Sequence, residues 1–198
     1  MTDIILASAS RHRAQILDGA GIQFAQIAST LDERAIESPL SGTDVTPEER
    51  ATILAEAKAL DVSETHGDCL VIGCDQILSL DTEILHKCTS MEEARRRLLY
   101  LSGKTHHLNS AIVLAKNGET LWRHVTVCQM TMRQLTPEFI GRHLGDVGEN
   151  VLGSVGVYQI EGRGIQLFDS IDGDMFSVIG LPLLPLLTQL RSMGVIDG

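Results

Sequence analysis

The chain has 198 residues, 43% of them hydrophobic, and a formal net charge of −10. That apolar share supports a real core and excludes a disordered chain, and the length suits one large domain or two closely packed lobes. Such an acidic chain repels nucleic-acid backbones in general, but it leaves room for one small phosphorylated ligand met by local Arg and Lys and a divalent cation.

The Met-Thr-Asp start lacks the basic region of a secretory leader. The most apolar run, 179–187, holds two prolines and a glycine and is far shorter than the ~20 residues of a membrane span. We therefore expect a soluble cytoplasmic protein with no membrane and no nucleic-acid partner. Cys69, Cys74, Cys88 and Cys128 form no C-x-x-C pair and no zinc-spaced cluster, so reduced thiols are expected, with Cys69 and Cys74 as strand packing.

The first stretch organises the chain. Ile4, Ile5, Leu6 and Ala7 form a short apolar run, small Ser8, Ala9 and Ser10 follow, and Arg11, His12 and Arg13 open a helical pattern through Ile16 and Leu17. This is a strand, a tight turn and a helix start, whose backbone N–H groups and dipole favour an anion. Arg13 adds a forked, permanently charged donor suited to phosphate; an ordinary βα unit with solvated arginines has the same pattern.

Residues 23–29 alternate and read as a second strand, and 30–43 as an exposed polar loop carrying Asp32, Glu33 and Glu37. Thr46-Pro47-Glu48-Glu49 is a strong helix start, with a Thr cap, Pro at the first position and a capping-box Glu. Ile53, Leu54, Ala57 and Leu60 then follow helical spacing, and Lys58 reads as lying near the C-terminal end, where a lysine simply offsets the dipole. The run 69–74 reads as a strand covered on both faces, ending at Asp75. Residues 77–80 form a second apolar piece that Asp81 and Thr82 can turn back.

Ser90 caps the next helix, which stops at Gly103. Residues 107–114 and 120–132 read as strands joined at Asn117-Gly118, the best hairpin signal in the chain. A helix starts at Thr136-Pro137 and ends near Gly145. Residues 148–164 are glycine-rich, 165–171 a strand, and 182–193 a final helix. Helices alternating with strands around one hairpin predict a mixed α/β sheet.

Asp75 is the most suggestive acid, because a carboxylate directly after a buried strand sits at a sheet's carboxyl edge, where open α/β sheets place ligands. It can serve as a general base or a metal ligand, or simply as a turn residue. Lys87 alone is an ordinary surface lysine. His106 and His107 are adjacent on a strand and point to opposite faces, so one should be packed and one exposed, with no shared metal. The glycines of 153–164 allow close backbone approach to a ligand, or form a flexible loop. No Walker A, G-x-S-x-G or H-E-x-x-H motif occurs.

Taken together, these stretches resemble the Maf family of nucleoside triphosphate pyrophosphatases over nearly the whole chain. Leu6-Ala7-Ser8-Ala9-Ser10 with Arg13 is similar to the family's opening signature, and Val71-Ile72-Gly73-Cys74-Asp75 to its central strand and catalytic aspartate. Leu101-Ser102-Gly103-Lys104-Thr105-His106, the glycine loop and Ile179-Gly180-Leu181-Pro182-Leu183 match later segments in order. The resemblance implies an α/β, two-lobed fold of the Maf/ITPase kind around an elongated mixed sheet, the cleft between the lobes, over a single domain 1–198. It implies hydrolysis of a nucleoside triphosphate to monophosphate and diphosphate with a divalent metal, Mg²⁺ or Mn²⁺.

By position, the family's functional residues map onto Ser8, Arg13, Glu33, Lys58, Asp75 and Lys87. Ser8, Arg13, Lys58 and Lys87 would hold the triphosphate; Glu33 and Asp75 would hold the metal, and Asp75 would also, or instead, activate water. Two departures stand out: Arg11-His12-Arg13 replaces the usual Pro-Arg-Arg, and Lys87-Cys88 the usual Lys-Pro. Three further positions separate the family's substrate groups, here His12, Gln76 and Glu161. Gln76 and Glu161 agree with the 7-methyl-GTP group rather than the thymidine/uridine group, and His12 departs from the aromatic residue usual there. Glu161 suits a guanine N1–H and N2–H₂ edge and a positively charged methylated base, so 7-methyl-GTP or another purine is the expected substrate. Rival readings are a nucleotide-binding regulator of septum formation and cell division with incidental hydrolysis, and a house-cleaning phosphatase acting on inosine nucleotides. Both a monomer and a homodimer stay open.

Overall fold

The computed structural model describes residues 3–197. Its centre is a seven-stranded mixed sheet in the order β2-β1-β3-β5-β6-β7, with β4 added to β3. The strands are β1 (Ile4–Ala7), β2 (Ala25–Gln26), β3 (Leu70–Leu80), β4 (Glu83–Leu85), β5 (Thr105–Lys116), β6 (Glu119–Met132) and β7 (Phe168–Asp172). The helices are α1 (Arg11–Gly19), α2 (Glu33–Glu37), α3 (Pro47–Thr65), α4 (Met91–Leu101), α5 (Pro137–Val147), α6 (Met175–Ile179) and α7 (Leu183–Ser192). The mixed α/β class expected from the alternating pattern is therefore the observed one.

β3 is the shared strand. One edge pairs antiparallel with β5 from Val71↔Ala115 to Ser79↔His107. The other edge is divided: β1 runs parallel along Leu70–Gly73, and β4 returns antiparallel along Leu78–Leu80. Between them, residues 74–77 have no strand on that side, and the sheet opens there.

Three apolar clusters fill the layers. Leu70, Ile72 and Cys74 face Leu17 of α1 and Leu186 and Leu190 of α7, while Val71 and Ile77 face Leu54, Ala55 and Val62 of α3. The far half of the sheet packs Leu78, Leu108 and Met130 against Leu98 of α4 and Ile140 of α5. α3 comes unusually close at Gly73, where a Cβ would collide with the Ala55 carbonyl and with Ala59.

Local chemistry explains the element ends. The Thr46–Glu49 capping box is formed in both directions, with Pro47 in the first turn. Asn117 and Gly118 adopt φ of +53° and +73°, as a tight hairpin between twisted strands requires.

Asp75 does not follow a strand; it lies within β3, which runs on through Leu80 because β5 pairs along nearly its whole length. Asp75 does stand just beyond the parallel part of the sheet, whose last pair is Ala7↔Gly73. Lys58 is mid-helix, since α3 continues to Thr65, so dipole compensation does not account for it. The second strand shrinks to Ala25–Gln26, and the loop 30–43 holds α2 and a short 3-10 turn. Residues 163–167 form a 3-10 turn, so the strand read over 165–171 is displaced to Phe168–Asp172, and α6 was not anticipated. His106 is fully buried as expected of one of the pair, whereas His107 is half-buried rather than exposed.

Candidate active site

A cleft of about 740 Å³ opens over the gap in the edge of β3. Ser8, His12, Arg13, Glu33, Lys58, Asp75, Gln76, Lys87 and Glu161 all line it, so the structure gathers every site residue singled out from the sequence into one place. It adds Arg11, Glu37 and Gln159 from segments already singled out, and Arg34 and Asn150, which no motif marked. Five Lys and Arg residues (Arg11, Arg13, Arg34, Lys58, Lys87) face four acids (Glu33, Glu37, Asp75, Glu161). A chain of net charge −10 thus carries a local cationic excess where a ligand would enter.

The turn after β1 forms one wall. Ser8 Oγ accepts from the Ser10 N–H and from Arg13 Nη1, both at 3.2 Å, and the Ser10 side chain caps α1. Gln26 Nε2 donates to the Ser8 carbonyl at 2.7 Å, which holds the turn against β2. Arg13 crosses into the gap in the sheet: Nη1 donates to the Cys74 carbonyl at 3.0 Å and Nε to the Gly180 carbonyl at 2.8 Å. It therefore satisfies a carbonyl where β3 has no strand neighbour. Nη2 has no hydrogen-bond partner among the described residues.

The opposite wall carries the acids. The residues of α3 that pack on the sheet recur as Ala51, Leu54, Ala55, Ala59 and Val62, and Lys58 falls on the same stripe. A lysine within such a stripe was the signal available in the sequence. Its Nζ lies 2.6 Å from Asp75 Oδ1 and 3.0 Å from Glu33 Oε1, with the Lys58 and Asp75 side chains only 12% and 9% exposed. Burial disfavours the Lys58 charge, but the Asp75 carboxylate, and then Glu33, outweigh it and hold the ammonium above its ordinary pKa. Burial pushes the neighbouring Cys74 thiol up to about 11, so it stays protonated and inert at neutral pH.

At the other end of the cleft, His12 Nδ1 meets Glu161 Oε1 at 2.8 Å. Gln76 faces away from Asp75, as alternation on β3 requires. Its Nε2 is surrounded by Ser110 Oγ at 2.8 Å, the Val178 carbonyl at 3.0 Å and the Ser177 carbonyl at 3.2 Å. Two of these partners only accept, so this atom must be the amide nitrogen, and the flip of the amide is settled. Ser110 Oγ in turn donates to the Ser177 carbonyl at 2.7 Å. Ser110 and Ser177 escaped the sequence reading; a buried serine inside the apolar run 108–115 was the available sign.

Among the described residues no group of three or more His, Cys, Asp and Glu side chains could by itself hold a metal ion. The oxygen pair Glu33 and Asp75 nevertheless fits Mg²⁺ chemistry, since that ion commonly takes one or two carboxylates and completes its shell with water and substrate phosphate. No helix among the described residues is long and apolar enough to cross a membrane.

An open mixed sheet with a charged cleft where its shared strand loses a neighbour defines an α/β protein built for a small anionic ligand. The family profile described as "Maf-like protein" matches residues 3–193, and the chain belongs to that family. A protein of Brucella abortus named "7-methyl-GTP pyrophosphatase" is 58% identical over 195 residues, covering 98% of both chains. Proteins with the same name from Mesorhizobium japonicum and Rhizobium meliloti are 57% and 53% identical, also over 98% of each chain. Among solved structures, a HAM1 protein from Coxiella burnetii aligns with a TM-score of 0.43 and 18% identity over 67% of this chain and 73% of that one.

Proposed function

We propose that this chain is a nucleoside triphosphate pyrophosphatase that splits 7-methyl-GTP into the nucleoside monophosphate and diphosphate. The observation that carries the reaction class is the Lys58 ammonium held between Asp75 and Glu33 in the charged cleft. The substrate is supported by the name shared by relatives 53–58% identical over almost the whole chain. It is supported too by a cleft end that offers the Glu161 carboxylate to a base edge rich in donors.

In this reading Ser8, the N–H groups at the start of α1, Arg13 Nη2, Lys58 and Lys87 bind the triphosphate and spread its charge. Glu33 and Asp75 would hold a divalent cation, Mg²⁺ or Mn²⁺, which when bound neutralises phosphate charge and polarises the phosphoryl group. Phosphate oxygens compete with the carboxylates for Lys58, and as its ammonium turns toward them Asp75 is released. Asp75 then orients water and takes its proton during attack at the α-phosphorus, and diphosphate leaves in line. His12, Gln76 and Glu161 select the base.

The test is a panel of 7-methyl-GTP, GTP, UTP and dTTP with Mg²⁺ or Mn²⁺, scored for pyrophosphate and monophosphate. Preference for 7-methyl-GTP with pyrophosphate as product is expected. Orthophosphate as the first product would overturn the reaction, and a preference for UTP or dTTP would overturn the substrate.

A further inference from the structure

Three residues before Glu161, Tyr158 is buried. Its hydroxyl lies 2.7 Å from Nε2 of His106, which is itself fully buried on β5. Phe168 completes a cluster of three rings, edge-on to Tyr158 at 4.8 Å and 5.9 Å from His106. The Tyr158 ring rests on Gly156, where a Cβ would collide with it.

The preceding residue, Val157, adopts φ of +60°, a left-handed conformation that β-branched residues avoid. Such a conformation persists only where the surroundings over-determine it. Here the ties are Ser154 Oγ donating to the Tyr158 carbonyl at 2.5 Å, Arg97 Nη1 donating to the Val155 carbonyl at 3.0 Å, and the Tyr158–His106 bond.

That last bond comes with an unmatched proton. His106 Nδ1 is buried without a partner among the described residues. A neutral imidazole and a phenol carry one polar hydrogen each. Whichever donates across the 2.7 Å contact, the other hydrogen finds no acceptor among the described residues. An apolar pair of the same shape would avoid this penalty. A buried polar pair of this kind serves best to fix one arrangement of the chain, here the loop that carries Tyr158.

We infer that Tyr158, pinned through its hydroxyl to His106, is a positioning residue for nucleobase selection, holding residues 159–161 so that Glu161 stands opposite His12. The inference rests on the proposed reading of the cleft end as the base site. Glu161 is only three residues from the pin, within about 10 Å of chain, so freedom at Tyr158 passes directly to its carboxylate.

Tyr158→Phe removes the oxygen and keeps the ring on Gly156 and against Phe168. It should stay folded and raise KM for 7-methyl-GTP about tenfold, with kcat within about twofold and KM for UTP unchanged. His106→Leu should do the same. His106→Gln, whose amide reaches the place of Nε2, should restore most of the preference. In the free protein, amide hydrogen exchange over 157–161 should quicken in Tyr158→Phe and not in His106→Gln. An unchanged 7-methyl-GTP to UTP ratio in folded Tyr158→Phe and His106→Leu would overturn the inference, and so would equal loss in His106→Gln and His106→Leu. A wild-type protein that prefers another nucleoside triphosphate overturns the substrate reading alone, and the pin is then scored by the KM of that nucleotide.

Discussion

Asp75→Asn is the substitution that separates chemistry from architecture most cleanly. Asparagine keeps the shape and leaves a carbonyl facing Lys58, but it has neither the negative charge nor the basic oxygen. Loss of a general base lowers turnover by about two to four orders of magnitude. The structural cost follows from the 2.6 Å contact between two largely buried side chains. Stripping one partner from a buried ion pair costs about 3–5 kcal/mol when nothing replaces it. Here Glu33 remains 3.0 Å from Lys58 and the amide still accepts, so the loss is no more than that of one charge-assisted hydrogen bond, about 1.5–3 kcal/mol. For a chain of this size that lowers Tm by about 3–12 °C. Pyrophosphate release at saturating nucleotide, measured beside a thermal melt, reads both quantities. A folded Asp75→Asn enzyme with turnover within a few-fold of wild type would remove Asp75 from the mechanism.

Further outcomes follow from the same geometry. Lys87→Gln should weaken triphosphate binding more than monophosphate binding, and equal weakening would detach Lys87 from the β- and γ-phosphates; Arg13 is a poorer probe because it also bonds the Cys74 and Gly180 carbonyls. Gln76→Thr with Glu161→Gln should lower the kcat/KM ratio of 7-methyl-GTP over UTP about ten- to a hundredfold, the worth of one charge-assisted hydrogen bond, and an unchanged ratio would mean these positions do not read the base. Stability should depend on pH through His106, whose pKa is lowered from 6.5 to about 4 by burial, with smaller contributions from His107 and Arg97. Between those values the unfolded chain binds the extra proton, so this stability is complete above about pH 6.5 and lost as pH falls toward 4, by up to about 3 kcal/mol. Melts of wild type and His106→Gln from pH 7.5 to 4.5 should show a shallower decline in the variant; parallel curves would refute the assignment.

Much of this was legible in the sequence because its signals are local. A Thr-Pro-Glu-Glu start, an Asn-Gly turn and a strand–turn–helix opening each specify backbone within a few residues, and all three are present. Asp75 misled because a charged and a polar residue after an apolar run resemble a strand end. The strand continues through pairing with β5, from Gln76↔Ser110 to Ser79↔His107, 34 to 28 residues downstream, which local pattern does not contain. α6 has five residues, too few to show a helical period, yet its carbonyls orient Gln76. The Tyr158–His106 pair spans 52 positions and joins a glycine-rich segment to a strand, so neither residue announces the other.

The fold and the cleft are coupled at Gly73. Its missing side chain lets α3 settle on β3, with the Ala55 carbonyl and Ala59 where a Cβ would stand. Asp75 is two residues further along β3 on the same face, and Lys58 lies one residue before Ala59 on the helix. The close approach that satisfies packing thus sets the reach of the ammonium to the carboxylate. At the open edge of the same strand, Arg13 supplies the hydrogen bond that a missing strand neighbour would have made to the Cys74 carbonyl. The gap in the sheet is therefore closed by a guanidinium rather than by backbone, on a residue that lines the cleft. In the proposed reading, an acidic protein would in this way present cations to a triphosphate: Lys58, held by carboxylates, and Arg13, held by carbonyls, would exchange these for phosphate oxygens as stronger partners.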